Sequence, residues 1–177
     1  TRAICAGGVS PVINTIDFAS IAQMGNFTDF GDLTVARNAV TGISSPVRGV
    51  FAGGTDGTSP SPAFKNDIDY ITINSTGNAT DFGDLSGTSG YMSATNDSSG
   101  KGFFIGGQQA PSGTKGDLTT DVITIATTGN ASNFGELSQQ TKSAASACQG
   151  TTGFTMGGYS GPATTNVIQR FVMPSLG

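Results

Sequence analysis

The stretch "TGNATDFGDL" (76–85) has two near copies, "MGNFTDFGDL" (24–33) and "TGNASNFGEL" (128–137). Their glycines, Gly25, Gly77 and Gly129, stand 52 residues apart each time. A fixed interval of this length marks a repeated supersecondary unit that cannot bury its apolar faces alone and must stack on its neighbours.

Three more families of segments recur alongside the ten-mer. The first ends in paired glycine: "AICAGG" (3–8), "GVFAGG" (49–54), "GFFIGG" (102–107) and "GFTMGG" (153–158). A basic residue, Arg2, Arg48 or Lys101, precedes three of them. The second is "NTIDFASI" (14–21), "NDIDYITI" (66–73), "TDVITI" (120–125) and, more loosely, "NVIQRFVM" (166–173). The Ser/Thr/Ala-rich fourth follows each ten-mer at 34–45, 86–99 and 138–149. All are short, β-branched or aromatic, and bounded by Gly, Asn, Asp or Pro, which are strand signals. No stretch shows the spacing of three and four that a helix needs.

Each repeat therefore reads as four short antiparallel strands. The Gly-Asn pairs are expected to turn the second strand into the third, because both residues tolerate positive φ. The paired glycines predict tight turns or close backbone approach. Phe30, Phe82 and Phe134, with Leu33, Leu85 and Leu137, are expected to pack between units. Asp32, Asp84 and Glu136 are expected to hydrogen-bond near the turn. Stacked four-stranded units are the blades of a β-propeller. The repeat units run over about 1–45, 46–98 and 99–151, with a half repeat at 152–177, in one domain spanning 1–177. Three and a half blades leave unpaired strands at both ends. Closure then needs more chain, another copy, or an unusually small ring.

Composition narrows the chemistry. Gly is 27 of 177 residues and charged residues are only 11%. Net charge is −4 and the eight Lys and Arg are scattered, which argues against nucleic acid. No apolar run reaches the ~20 residues of a membrane span. Thr1 in place of Met is compatible with processing or with a longer parent chain. Cys5 and Cys148 fall in apolar strand-like stretches and read as free, buried thiols. His is absent, which removes the commonest general base, the usual Ser and Cys triads and imidazole metal ligands. Two distant cysteines make no thiolate zinc site, and no phosphate-binding loop follows the glycine pairs. No cofactor is expected.

The residues resemble kelch-type repeats. "RGVFAGG" (48–54) is similar to the kelch strand that ends in two glycines, and "NDIDYITI" to the strand after it. "FGDL" stands where kelch repeats carry Trp and then Leu. "ARNA" (36–39) resembles the Arg-containing last strand, but only the first repeat has Arg37, so a repeated role for that residue is in doubt. The Gly/Thr/Asn-rich wording is similar to kelch-like repeats in tail and virion proteins of aquatic bacteriophages, including cyanophages. The resemblance implies an all-β, kelch-like β-propeller. It also implies a non-enzymatic structural or adhesion module of a phage tail or fibre, at the virion surface. Its partners are then other virion proteins, further copies of itself, or a host receptor or glycan. The alternatives are a cellular or extracellular kelch-like interaction domain and, less favoured, a propeller hydrolase or lyase.

Candidate sites are few. Asp17, Asp69 and Asp121 recur at the repeat interval and could ring a calcium ion, but one carboxylate per repeat is better explained by hydrogen bonds at strand ends. Asn26, Asn74, Asn78, Asn96 and Asn130 head Asn-X-Ser/Thr triplets; the Gly-Asn turns account for Asn26, Asn78 and Asn130, and glycans are not the favoured reading. The variable loops after the glycine pairs, 55–67 and 108–119, are the candidate binding segments, with Asp56, Ser59, Phe64, Lys65, Gln108, Gln109 and Lys115 as their candidate residues.

Overall fold

A computed structural model describes residues 1–23, 25–58, 62–109 and 117–173. These residues form sixteen β-strands and no helix. β1 (Arg2–Gly8), β2 (Ile13–Ser20) and β3 (Thr28–Asp32) make the first antiparallel sheet. β4 (Thr41–Ser44), β5 (Arg48–Ala52), β6 (Asp67–Thr72) and β7 (Thr80–Asp84) make the second, in that order. The third holds β8 (Ser93–Asn96), β9 (Lys101–Ile105), β10 (Asp117–Thr124) and β11 (Ser132–Thr141). In the fourth, β12 (Ala145–Gln149), β13 (Thr152–Met156) and β16 (Ile168–Val172) pair in order, while β14 (Tyr159–Ser160) and β15 (Ala163–Thr164) form a small separate hairpin.

The expected boundaries are out of phase with these sheets. The Ser/Thr/Ala-rich strands β4, β8 and β12 do not pair with the ten-mer of their own repeat. They cross over and pair with the next glycine-pair strand, β5, β9 and β13. These three crossover strands also neighbour one another. A strictly periodic sequence permits any phase; the short β-turn at 45–48, with Ser45 N–H donating to the Arg48 carbonyl, selects this one.

The Gly-Asn pairs likewise do a different job from the one expected. The turn between β6 and β7 closes at Thr72–Ser75, and its counterpart between β10 and β11 at Thr124–Thr127. Gly77-Asn78 and Gly129-Asn130 lie beyond the turns and reach the preceding sheet.

Opposite β2, β6 and β10 the ladder slips at the same place. Ile16 faces Gly31 and Asp17 faces Asp29, so Phe30 is an extra, bulged residue. Phe82 and Phe134 are bulged in the same way. A bulge re-aims its side chain and frees its carbonyl from the ladder. Phe30 and Phe82 thereby enter the gap between sheets and are 2% and 3% exposed. Phe134 is only half-buried, which corrects the expectation of three equally buried rings. Ala79 packs in the cluster around Phe30 and Ala131 in the cluster around Phe82, and no described residue repeats that cover over Phe134.

Three apolar clusters fill the three gaps. Ile16, Phe30, Leu33, Phe51 and Ile71 join the first two sheets. Val50, Ile68, Phe82, Leu85 and Phe104 are among those joining the second and third. Phe103, Ile105, Leu137 and Met173 join the third and fourth. The first glycine of three of the pairs, Gly7, Gly53 and Gly106, lies tight against backbone: Gly53 has φ +62°, and a Cβ there would strike the Ser89 carbonyl. Cys148 is half-buried and its thiol donates to the Asn96 carbonyl at 2.7 Å. Cys5, expected to be buried, is exposed, because it faces outward from the first sheet where Phe51 and Phe104 face a neighbour.

Candidate functional site

Two kinds of site emerge, and they differ in how they treat the repeat. The first is a clasp that joins sheets and is copied from one gap to the next. In the first gap, Gly77 N–H donates to the freed Phe30 carbonyl at 2.7 Å and Ala79 N–H to the Asp32 carbonyl at 2.7 Å. Asn78 Oδ1 accepts from Asp32 N–H at 3.1 Å. In the second gap, Gly129, Ala131 and Asn130 repeat these bonds to Phe82 and Asp84 at 2.7, 2.7 and 3.0 Å. The ten-mer thus carries both halves of one joint, Gly-Asn-X as donor arm and Phe-Gly-Asp as receiver. That is why it recurs almost letter for letter.

A second clasp uses the carboxylates considered for calcium. Asp69 accepts from Thr34 N–H at 3.1 Å and Thr34 Oγ1 at 2.7 Å. Asp121 accepts from Ser86 N–H at 2.8 Å and Ser86 Oγ at 2.7 Å. Gln169 Oε1 takes the same place for Ser138 Oγ and Gln139 N–H, both at 2.9 Å. For Asp69 and Asp121 the expected hydrogen-bonding role is therefore observed, but across sheets rather than at strand ends. Among the described residues no three His, Cys, Asp or Glu side chains gather as metal ligands. Asn78 and Asn130 are committed to clasps.

Arg37, doubtful as a repeated element, is a single deep pin. It is 0% exposed, with Nη2 2.9 Å from Asp69 Oδ2 and Nη1 donating to the Asp67 carbonyl at 3.0 Å. Burial lowers its pKa, and the fields of Asp69 and then Asp67 oppose that shift. In the other repeats this position is Ser89 or Thr141.

The second kind of site lies at the end of the molecule where the loops after the glycine pairs meet the lead-ins to the crossover strands. Ala39, Tyr91 and Ser143 occupy equivalent positions with φ of +54°, +57° and +52°. Tyr91 N–H donates to the Ala39 carbonyl at 3.2 Å, and Ser143 N–H to the Tyr91 carbonyl at 2.8 Å. Left-handed backbone is uncommon for a residue with a side chain and persists where surroundings over-determine it. Beside this ladder, two-way backbone bridges join Asn38 to Thr55, Gly90 to Gln108 and Lys142 to Tyr159.

Gln108, Lys142 and Tyr159 of the last two bridges line an open cleft of about 480 Å³. Its walls include Pro62, Tyr91, Gln108, Lys142, Tyr159 and Pro162. Tyr91 and Tyr159 are 41% and 45% exposed. Lys142 Nζ donates to the buried Gln108 Oε1 at 2.8 Å, which fixes the ammonium at the cleft wall. A second hollow of about 430 Å³ shares Tyr91 and Pro62 and is lined also by Val9 and Thr58.

Of the candidate loop residues, Gln108 lines this cleft. Phe64 is 7% exposed and packs on Gly90, so it supports the loop from inside. Asp56 organises its own loop by accepting from Ala63 N–H at 2.9 Å and Thr58 N–H at 3.1 Å, and those backbone bonds hold its pKa below the ordinary carboxylate value. Lys65 is half-buried and its N–H donates to the Gly54 carbonyl. Gln109 donates to Asp117, away from the cleft. Ser59 and Lys115 lie outside the described residues. Tyr91, Lys142 and Tyr159 were not among the sequence candidates. Their signal was that aligned positions of the repeats carry unlike residues: Ala39, Tyr91, Ser143 and Asn38, Gly90, Lys142.

No family model and no curated protein matches the chain. Among solved structures 141 chains match it. One of them, described as the structure of YjhT, superposes with a TM-score of 0.77 at 13% identity, over 98% of this chain and 59% of that one. The chain thus spans less than two thirds of that structure, and what the two share is the fold.

Proposed function

We infer that the chain is a section of a kelch-like β-propeller and works as a non-enzymatic adhesion or structural module, on a phage tail or fibre. The stacked antiparallel sheets with adjacent crossover strands support the propeller part of this reading. One observation carries the functional part. The clasp residues are the same or chemically alike from repeat to repeat, whereas the face bearing Tyr91 and Tyr159 carries unlike residues at its equivalent positions. Residues held constant build the scaffold, and those set free on one rigid face are available for recognition.

The cleft suits a surface sugar. Two half-exposed tyrosine rings offer flat apolar faces with a polar tip. The Lys142 ammonium and Gln108 amide supply directed polar groups beside them, in a hollow of the size that holds small ligands. Among the described residues lining it, the Lys142 ammonium is bonded to Gln108 and no nucleophile is paired with a base.

The test is binding of the dye-labelled chain to intact host cells, together with gold-labelled antibody on purified particles. Binding that is lost in both Tyr91→Ala and Tyr159→Ala, with gold on tails or fibres, is the expected result. Gold absent from particles refutes the virion role. Undiminished cell binding by both variants refutes the cleft as the adhesive surface.

A further inference from the structure

The first sheet exposes one half of each inter-sheet clasp. Cys5 and Asp17 are cross-strand partners on one face. The equivalent pairs are Phe51 with Asp69, Phe104 with Asp121 and Thr155 with Gln169. In all three of those pairs both residues face the preceding sheet and are buried. Cys5 is exposed, and among the described residues the Asp17 carboxylate has no side-chain hydrogen bond. Ile21 and Phe27 on this side are 64% and 49% exposed, where the equivalent Ile73 and Ala79 are engaged with the first sheet.

The first two gaps state what such a face receives. Each takes a Phe-Gly-Asp-Leu strand followed by Ser or Thr, whose N–H and hydroxyl go to the Asp. Each also takes an arginine from the start of the neighbour's glycine-pair strand. Arg2 Nη1 donates to the Ile73 carbonyl at 2.7 Å and Arg48 Nη1 to the Ile125 carbonyl at 3.1 Å. The equivalent carbonyl on the first sheet is that of Ile21.

We propose that this face is a socket for another sheet of the same repeat type. Asp17 takes the N–H and hydroxyl of a Ser or Thr that follows Phe-Gly-Asp/Glu-Leu. The N–H groups of Gly25 and Phe27 donate to carbonyls of that strand, and the Ile21 carbonyl accepts an arginine. A second copy of the described residues does not supply this partner, because its three Ser/Thr positions, Thr34, Ser86 and Ser138, are already held within their own copy. The socket is independent of the tyrosine cleft, so its test and that of the adhesive role fail separately.

The experiment places a copy of residues 41–99 directly before Thr1. This join keeps the native spacing, since Arg2 then stands where Lys101 does. Alkylation of Cys5 by iodoacetamide is followed by peptide mass mapping in the original chain, the extended chain and the extended chain carrying Asp17→Ala. Burial is expected to slow Cys5 by about tenfold or more in the extended chain, with protection largely lost in the variant. A folded extended chain whose Cys5 reacts as fast as before overturns the proposal. So does equal protection with and without Asp17.

The unextended chain gives an answer even if the longer one does not fold. Asp121→Ala is expected to lower its melting temperature and Asp17→Ala to leave it unchanged. Equal losses would mean that Asp17 already has its partner, and concentration-dependent self-association that protects Cys5 would mean that a second copy fills the socket; either result overturns the proposal.

Discussion

Replacing Arg37 by Met keeps most of the buried alkyl chain and removes the charge that sits 2.9 Å from Asp69. Asp69 is itself 0% exposed, so the substitution leaves a carboxylate in the gap between the first two sheets with only Thr34 to satisfy it. Removing one partner of a buried pair costs about 3–5 kcal/mol, because the survivor is buried without compensation. For a chain of this length the unfolding entropy is roughly 0.4 kcal/mol per kelvin, so the melting temperature should fall by about 10 °C. Asp69→Asn is expected to destabilise as well. The double variant Arg37→Met with Asp69→Asn should recover part of the loss, since neither charge is then stranded. Thermal unfolding followed by circular dichroism reads all three. An Arg37→Met melt within about 2 °C of the parent, the range of an ordinary surface change, would refute the pin. A double variant with fully additive losses would refute the coupling.

Phe30→Ala and Phe82→Ala should each cost about 3–5 kcal/mol by urea unfolding, and Phe134→Ala clearly less, in line with its half-buried ring. Gly83→Ala and Gly135→Ala place alanine at similar positive φ, +140° and +152°, but only at Gly83 would the new Cβ fall 2.6 Å from the backbone of Gly129. The first variant should therefore melt below the second, and equal melts would remove the close approach as the reason for glycine. The bonds to Asp56 lower its pKa, so its contribution to loop order is complete above the ordinary carboxylate range and is lost as pH falls through the depressed folded value. Amide exchange at Ala63, corrected for intrinsic rate, should stay slow at neutral pH and rise only in strong acid; a rise already near neutrality would contradict this.

The strands were legible because alternation and β-branching set them locally, and the interval of 52 residues located their equivalents. The phase of the sheets was not, because a periodic string looks the same from any starting point. Which neighbour β4 joins is decided by the tight turn at Ser45–Arg48, a signal no stronger in sequence than several other Ser/Pro clusters. Gly77-Asn78 reads as a turn since both residues favour one; its actual task depends on a bulge 47 residues before Gly77, at Phe30, which no local pattern announces. Asp69 was weighed only for metal and for strand ends. Its partner Thr34 also recurs, as Ser86 and Ser138, but a hydroxyl in a Ser/Thr-rich stretch carries little information of its own. Arg37 is unrepeated, and a residue that breaks a repeat is informative for that reason, as are Tyr91 and Tyr159.

The second, third and fourth sheets each borrow a crossover strand from the repeat before, so no cut between repeats separates these sheets cleanly. A deletion or duplication of one full period, started anywhere, recreates junctions that already exist in the molecule. Every strand keeps a partner and every clasp meets its counterpart. Genes encoding such chains can therefore lengthen or shorten by whole units through misaligned recombination between copies while the joints between neighbouring sheets are kept. The unlike residues of the cleft travel with their unit, so the same events that change length also deal new combinations of side chains onto the recognition face.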